Sequence, residues 1–443
     1  PPLFISLSSG LDFITVFSDL KLIFSKGKSV RAALNSKGYE LLSDRANFSF
    51  QDQTIQYDPL TLMSFGFPFV AKKIFFYSYE KYFSESLGDL PKKILQRISD
   101  SNYPTELVTN EIIKSHTAGY VHQLLHLNYI FDECDINNYE TKTKVAVVFF
   151  VYFDSLLPLC ITYLKKISKL CKVFIVSPKQ DLLNKYAHVL SSQTSIEYRL
   201  QENRGRNEAA YFVTCKDVLK KFELVCLAHD KKASHFNNSL ISQSTFTHCF
   251  ENTLGSEALI SRIIRTFDEY PYLGMLCPPF PVHSKWRRLL EDPYGVNKKI
   301  MKDLKKKMKL QEEFDDFVVA PFGGVFWVRT KAINTLIEQN FTYKDFPAEP
   351  LREDGTLLHA LERIYPEIIK KNGFACGFVL SRRYCEIYID NIIYNLKNYQ
   401  NIIKKENDIS FYDFLKKKIK KKPKLHLFCY SVKYFFKSFL NSK

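Results

Sequence analysis

The chain has 443 residues, 46% of them hydrophobic and 25% charged, so it is long enough for two or three domains and too apolar for a disordered polymer. Its formal charge of +16 points to an anionic partner, and a membrane surface, a nucleic acid or a nucleotide diphosphate all qualify. The ten cysteines show no Cys-x-x-Cys pairing, which excludes a disulfide scaffold and predicts reduced core residues, as at Cys171, Cys226, Cys277 and Cys376 beside apolar runs.

In chain order, residues 1–139 show no strand ladder and read as a helical accessory region or the remnant of an upstream module. Amphipathic helices are predicted over 90–98, where Pro91 suits an early helical position, and over 111–127. The pattern changes at Lys144. An apolar run at 145–153 and strand-length segments at 172–176, 196–200 and 224–228 alternate with helical stretches at 155–167, 180–190 and 208–221. That alternation predicts right-handed crossovers and a mostly parallel α/β sheet over 140–395. Further strands are expected at 273–277 and 317–328, followed by a helix at 356–365. From 396 a lysine cluster (416–424) and an aromatic run form a basic amphipathic tail. No signal peptide is evident, and no uncharged run of about 18 residues predicts a spanning helix.

Four polar islands stand at the edges of these apolar runs, where an α/β sheet delivers residues to a crevice beyond its strand ends. The first is Asn203, Arg204, Gly205, Arg206 and Asn207. It lies between a strand and a helix, so the glycine permits close backbone approach and either arginine can meet a diphosphate; a turn among solvated charges is the plainer alternative. Its spacing matches neither G-x-G-x-x-G nor G-x-x-x-x-G-K-[ST]. The second island is His229, Asp230, Lys231 and Lys232. A carboxylate at a strand's carboxyl end is placed to hold a divalent cation, and the lysines add charge for a leaving diphosphate. A surface turn with a neighbouring charge pair is the alternative.

In the third island, Gly323 and Gly324 suggest a bulge or a close backbone approach, and Trp327 offers either a sugar wall or a core indole. The fourth is the richest. Glu349, Glu353 and Asp354 gather before a helix entry with Thr356 as N-cap, and His359 lies off the apolar face of that helix. They suit a positioned general base, or a capping cluster that complements the helix dipole. His122 and His126 are spaced i, i+4, but Gln123 stands where H-E-x-x-H needs glutamate, so this pair reads as structural.

In order, the islands resemble the signature segments of the rhamnan synthesis protein F family of bacterial polysaccharide glycosyltransferases. That pattern runs N-R-G-R-D, H-D-K-K-S, G-S-M-F-W, then E-x-x-x-x-D-G-T-x-x-H-A-x-E-R; here it falls at 203–207, 229–233, 323–327 and 349–363. Leu254-Gly255-Ser256 and Tyr294-Gly295-Val296-Asn297 also fall in the family's order, so the resemblance covers about 140–380. Asn207 replaces the family's aspartate, Ala210 its proline, Ala233 its serine and Gly324-Val325 its Ser-Met pair.

The resemblance implies a GT-A type, Rossmann-like nucleotide-diphospho-sugar transferase, inverting, with dTDP-rhamnose as the family-level donor and a lipid-linked or polysaccharide acceptor. Under it Asp354, with Glu353 and His359, carries catalysis. The first two islands bind the nucleotide, Asp230 takes Mg²⁺ or Mn²⁺ where a metal is used, and Gly323, Gly324, Trp327 and Glu349 wall the sugar. The basic tail fits an anionic inner leaflet and so a peripheral place on the bacterial cytoplasmic membrane. A non-catalytic scaffold of an assembly complex is the alternative. Nucleic-acid binding is not expected, because no RNP-like or helix-turn-helix signature accompanies the charge.

Overall fold

The computed structural model of the chain describes residues 5–6, 40–41, 89–100, 105–132, 141–231, 239–283, 289, 292–352 and 354–408, with backbone alone at 5–6, 40–41, 239–243 and 400–408. Lys232, Glu353 and the lysine-rich stretch of the tail lie outside these residues. The chain divides into two compact units: 1–281 with 288–384, and 282–287 with 385–443.

An eight-stranded sheet organises the first unit. Its strands are β1 (Asn128–Phe131), β2 (Val145–Phe150), β3 (Lys172–Ser177), β4 (Ile196–Leu200), β5 (Leu224–His229), β6 (Leu273–Cys277), β7 (Phe326–Arg329) and β8 (Ala375–Ser381). The order is β1-β8-β6-β7-β5-β2-β3-β4, and every pairing is parallel except those of β7, which runs against both β5 and β6. β2, β3, β5 and β6 are built largely of Val, Ile, Leu, Phe and small residues, whereas the edge strand β4 carries Glu197, Tyr198 and Arg199. The fully buried pattern of β6 and near-complete burial of β2, β3 and β5 is what helices on both faces of a parallel sheet require.

Helices connect these strands: α4 (Leu157–Ile167), α5 (Gln180–Val189), α8 (Ser239–Glu251), α9 (Glu257–Glu269), α10 (Lys298–Lys307), α11 (Asn334–Ile337) and α12 (Leu357–Lys371) among them. Cys160, Ile161, Tyr163, Leu164 and Ile167 of α4 and Leu182, Leu183 and Tyr186 of α5 pack on Val147, Phe149, Val173 and Ile175. Each such fully buried side chain stabilises the fold by roughly 1.5–3 kcal/mol relative to exposure. The eight described cysteines are unpaired and buried.

The stretch read as an accessory region belongs in part to this sheet. α1 (Leu90–Ser99), α2 (Thr105–Ser115) and α3 (Ala118–Leu124) bury Ile94, Ile112, Ile113, Val121 and Leu124 in a cluster shared with Ala375 of β8. β1 then pairs with β8 as the edge strand. The Asp315 carboxylate accepts the Gly119 N–H at 2.6 Å, so α3 is also tied to the loop before β7. The helix expected over 111–127 breaks between α2 and α3, where Thr117 caps the new start by accepting from Tyr120 N. His122 is buried among Phe317 and Phe378, with Nδ1 at 3.2 Å from Cys376 O, a structural role. Burial pulls its pKa down to about 4.

Two other expectations shift. Residues 317–325 form a buried turn-rich approach, and only Phe326–Arg329 is strand. The helix expected over 208–221 is α6 (Arg206–Ala209), a π-helical turn at Ala210–Thr214, then α7 (Lys216–Lys221). α13 spans Arg382–Asp408, and within the second unit Asn395 Nδ2 donates to Val282 O. Among the described residues no helix is long and apolar enough to cross a membrane.

Candidate active site at the carboxyl edge of the sheet

The chain order reverses between β2 and β5: β3 and β4 lie to one side of β2, and β5 to the other. The crevice beyond the carboxyl ends of two such strands is where open α/β sheets bind ligands. The second island arrives there because β5 ends on His229. The third arrives because β7 is antiparallel: Phe326 is in register with Leu227, so the glycines preceding it lie at the edge where β5 ends.

Both glycines are used. Gly323 and Gly324 adopt positive φ values of 100° and 67°, a region that favours glycine. A Cβ on Gly324 would stand 2.5 Å from His229 Nε2 and 3.7 Å from Asn207 Nδ2, so the bare backbone lets island two, island three and Asn207 meet. Gly323 N donates to Glu362 Oε1 at 2.7 Å, which brings α12 to the same place. His229 Nδ1 lies 2.9 Å from Asp230 O. Desolvation, reinforced by the charge of Lys231, pulls the His229 pKa down to about 4, so the ring is neutral at pH 7.

Asp230 faces elsewhere. Its Oδ2 accepts the N–H groups of Tyr152 (2.9 Å) and Phe153 (2.8 Å), pinning the loop after β2. It is 3% exposed, and its Oδ1 is buried without a hydrogen-bond partner. Burial outweighs the two backbone bonds and pushes its pKa up to about 7. Among the described residues no group of three His, Cys, Asp or Glu is placed to hold a metal. With one oxygen committed to the backbone and the other sealed from solvent, Asp230 as it stands does not fit a hard cation, which takes several oxygen ligands.

The first island is braced against residues 344–349. Arg204 donates to Phe346 O (2.6 Å) and Lys344 O (3.2 Å). Arg206 pairs bidentately with Glu349 at 2.7 and 3.0 Å, and this holds the Glu349 carboxyl below its ordinary pKa. Gly205 has φ +77°, and a Cβ there would meet Phe346 Cγ at 2.7 Å. Asn203 is exposed. Both arginines thus serve the loop itself as the structure stands.

At the catalytic edge, Asp354 Oδ1 accepts from Asn297 Nδ2 (2.9 Å) and Gly355 N (2.8 Å). His359 Nδ1 and Arg363 each lie 4.0 Å from that same oxygen. Burial opposes its charge, but the hydrogen bonds from Asn297 and Gly355 and the charges of Arg363 and His359 prevail, holding the carboxyl below the usual aspartate value. His359 Nδ1 also lies 2.7 Å from Thr356 Oγ1. Desolvation lowers its pKa, with Lys231 contributing in the same direction.

Trp327 requires a correction. It is fully buried in the sheet core, and its Nε1 donates to Thr253 O at 3.0 Å. β7 is flanked by β5 and β6, and the indole packs into the main core cluster, so it cannot wall a sugar.

Glu208 was not singled out from the sequence, where it opens an apolar Ala-Ala-Tyr-Phe run and reads as a helix-start charge. It is 3% exposed and accepts from Tyr365 OH (3.0 Å) and Asn207 Nδ2 (3.1 Å), tying α6 to α12. Burial pushes its pKa up to about 8. A lone acid inside an apolar run was the available signal.

No curated protein matches the chain. The family model for rhamnan synthesis protein F matches residues 34–374. That span takes in most of the chain, all four islands and every strand of the sheet but the last: the chain belongs to the rhamnan synthesis protein F family, and its place is in rhamnan or polysaccharide synthesis.

Proposed function

We propose that the chain is an inverting glycosyltransferase with a GT-A type sheet, moving a sugar from a nucleotide-diphosphate donor, dTDP-rhamnose by the family's name, to a growing polysaccharide. The carrying observation is the meeting of His229, Gly323–Gly324, Asn207 and Glu362 at the switch point between β2 and β5, with an ionised Asp354 at the margin.

In this reading the nucleotide lies along the loops after β2 and β3. There Lys179 donates to Tyr152 O at 2.7 Å and stands 4.1 Å from the centre of the Tyr152 ring, offering an aromatic face beside a cation. Asp354 Oδ1 is occupied by Asn297 and Gly355, which leaves Oδ2 to take the proton of the acceptor hydroxyl. The acceptor oxygen then bonds to the anomeric carbon as the bond to the diphosphate breaks, and the leaving charge meets Lys231. A low pKa keeps Asp354 in its basic form at neutral pH. No step passes through a metal at Asp230.

The test is Asp354→Asn, with transfer measured on donor and lipid-linked acceptor and donor affinity measured by calorimetry. Transfer should fall by about 10²–10⁴-fold at unchanged donor affinity. A variant that transfers at the wild-type rate removes Asp354 from the mechanism. Failure of the wild type to bind any nucleotide sugar returns the chain to the scaffold reading.

A further inference from the structure

The sheet has a second edge that the proposed reaction does not use. Over the amino ends of β1, β6 and β8 lies a cavity of about 690 Å³, closed by one face of α1 and one face of α2. Its size is within the range of small-molecule sites. β1, β6 and β8 are mutually parallel, and β6 runs the same way as β5 because both are antiparallel to β7, so this cavity is at the opposite edge of the sheet from His229 and the donor crevice.

Its chemistry is specific. Tyr129, Tyr270 and Tyr272 line it as a run of neighbouring rings, with centroids 5.8 Å apart for Tyr129–Tyr270 and 5.9 Å for Tyr270–Tyr272. All three are part-buried. Gln96 and Asn110 add side-chain amides from the two helices. The charged lining residues are Lys92, Glu106 and Glu269; Lys92 is engaged with His126 O at 3.3 Å, and Glu269 is paired with Arg265 at 2.7 Å. Aromatic faces with amides and carboxylates suit an uncharged polyhydroxylated ligand, whose C–H faces stack on rings while its hydroxyls reach amide and carboxylate groups. With Lys92 the single lysine or arginine among the lining residues, a phosphate, a nucleotide or a polyanion finds little to pair with.

We infer that this cavity is a glycan-binding subsite that holds a neutral stretch of the polysaccharide, separate from the donor crevice. This rests on the polysaccharide-synthesis reading above. A hold on already-made polymer at the far edge of the sheet would keep the chain attached between additions, by raising the effective concentration of the growing end.

Saturation-transfer NMR with a synthetic rhamnose tetrasaccharide tests it. The wild type should bind saturably. Tyr270→Phe should retain binding, and Tyr270→Ala should weaken it about tenfold, the scale of one lost ring contact. Circular dichroism melts establish that the variants are folded. If Tyr270→Ala does not melt cooperatively, Gln96→Ala replaces it, since the Gln96 amide on α1 donates to the exposed Asp100 at 2.9 Å and not to the core. No binding to the wild type, or equal binding to Tyr270→Ala or its replacement, overturns the subsite. Calorimetry of dTDP-rhamnose on the same protein reads the crevice independently. Nucleotide binding without glycan binding overturns the cavity alone, and glycan binding without nucleotide binding overturns the transfer reading alone.

Discussion

Glu208→Gln isolates the energetic consequence of burying an acid beneath the site. Glu208 is 3% exposed, has hydrogen bonds from Tyr365 and Asn207, and carries a pKa pushed up by burial to about 8. In the unfolded chain a glutamate titrates near ~4.3, so the folded protein binds this proton more tightly. The stabilising contribution is therefore full below about pH 4 and is lost as pH rises through about 8. At about 1.4 kcal/mol per pH unit, the loss between pH 5 and pH 8 is on the order of 4 kcal/mol. Glutamine keeps the shape and can accept from Tyr365, while Asn207 can rotate its amide to present oxygen. The variant should match wild-type stability at pH 5 and exceed it by about 4 kcal/mol at pH 9. Urea denaturation followed by circular dichroism at both pH values reads this directly. Asp230 and Glu367, whose pKa values burial raises to about 7, add their own slope to both proteins and cancel in the difference. A stability difference that stays constant from pH 5 to pH 9 would falsify the assignment of Glu208 as a buried, protonated acid.

Two further outcomes follow from the same geometry, and a third from the lysine-rich sequence of the tail. Gly324→Ala places a methyl on a residue with φ +67° and 2.5 Å from His229 Nε2; it should lower stability by about 2–4 kcal/mol and weaken donor binding, and an unchanged melt together with unchanged calorimetry speaks against the close approach. Asp230→Ala strips the acceptor from the Tyr152 and Phe153 N–H groups and should cost about 2–4 kcal/mol, whereas Asp230→Asn, which keeps an acceptor, should fold normally and gain stability relative to wild type above pH 7; equal losses in the two variants by urea denaturation reject the staple role. Deleting residues 401–443 should release the protein from anionic vesicles, since each lysine near such a surface contributes on the order of 1 kcal/mol; sedimentation that does not change on deletion rejects the tail as the anchor.

Much of the frame was legible from residues. The apolar run that becomes β6 coincides with the strand observed, because a buried parallel strand needs five or six consecutive apolar or small residues and little else; β4 also falls where expected, although Glu197 and Arg199 interrupt it and it lies part-exposed at the sheet's edge. β1 was not legible: Asn128–Phe131 buries only Phe131, and an edge strand with one covered residue leaves neither an apolar run nor a clean alternation. Residues 317–325 misled for the converse reason. They are apolar because they pass through the interior beside Cys249 and Glu362, and burial without pairing looks like a strand in sequence. Trp327 and Glu208 failed alike, since an aromatic or an acid beside a functional loop carries no mark of which way it faces.

Facing is also what divides the motifs. His229 and Asp230 are neighbours in one signature, yet they serve different parts of the protein because successive residues at a strand's end project to opposite sides. His229 meets Gly324 and lies within the field of Lys231 and Glu362, while Asp230 turns back to hold the loop after β2. The fourth island divides by helical spacing instead. His359 and Glu362, three apart on α12, share a face; one contacts Thr356 beside Asp354, and the other accepts from Gly323. The same turn of helix therefore supports the proposed base and fixes the glycine turn that admits His229. Glu362 couples the catalytic edge to the crevice floor, and a change that frees Gly323 N should disturb both together.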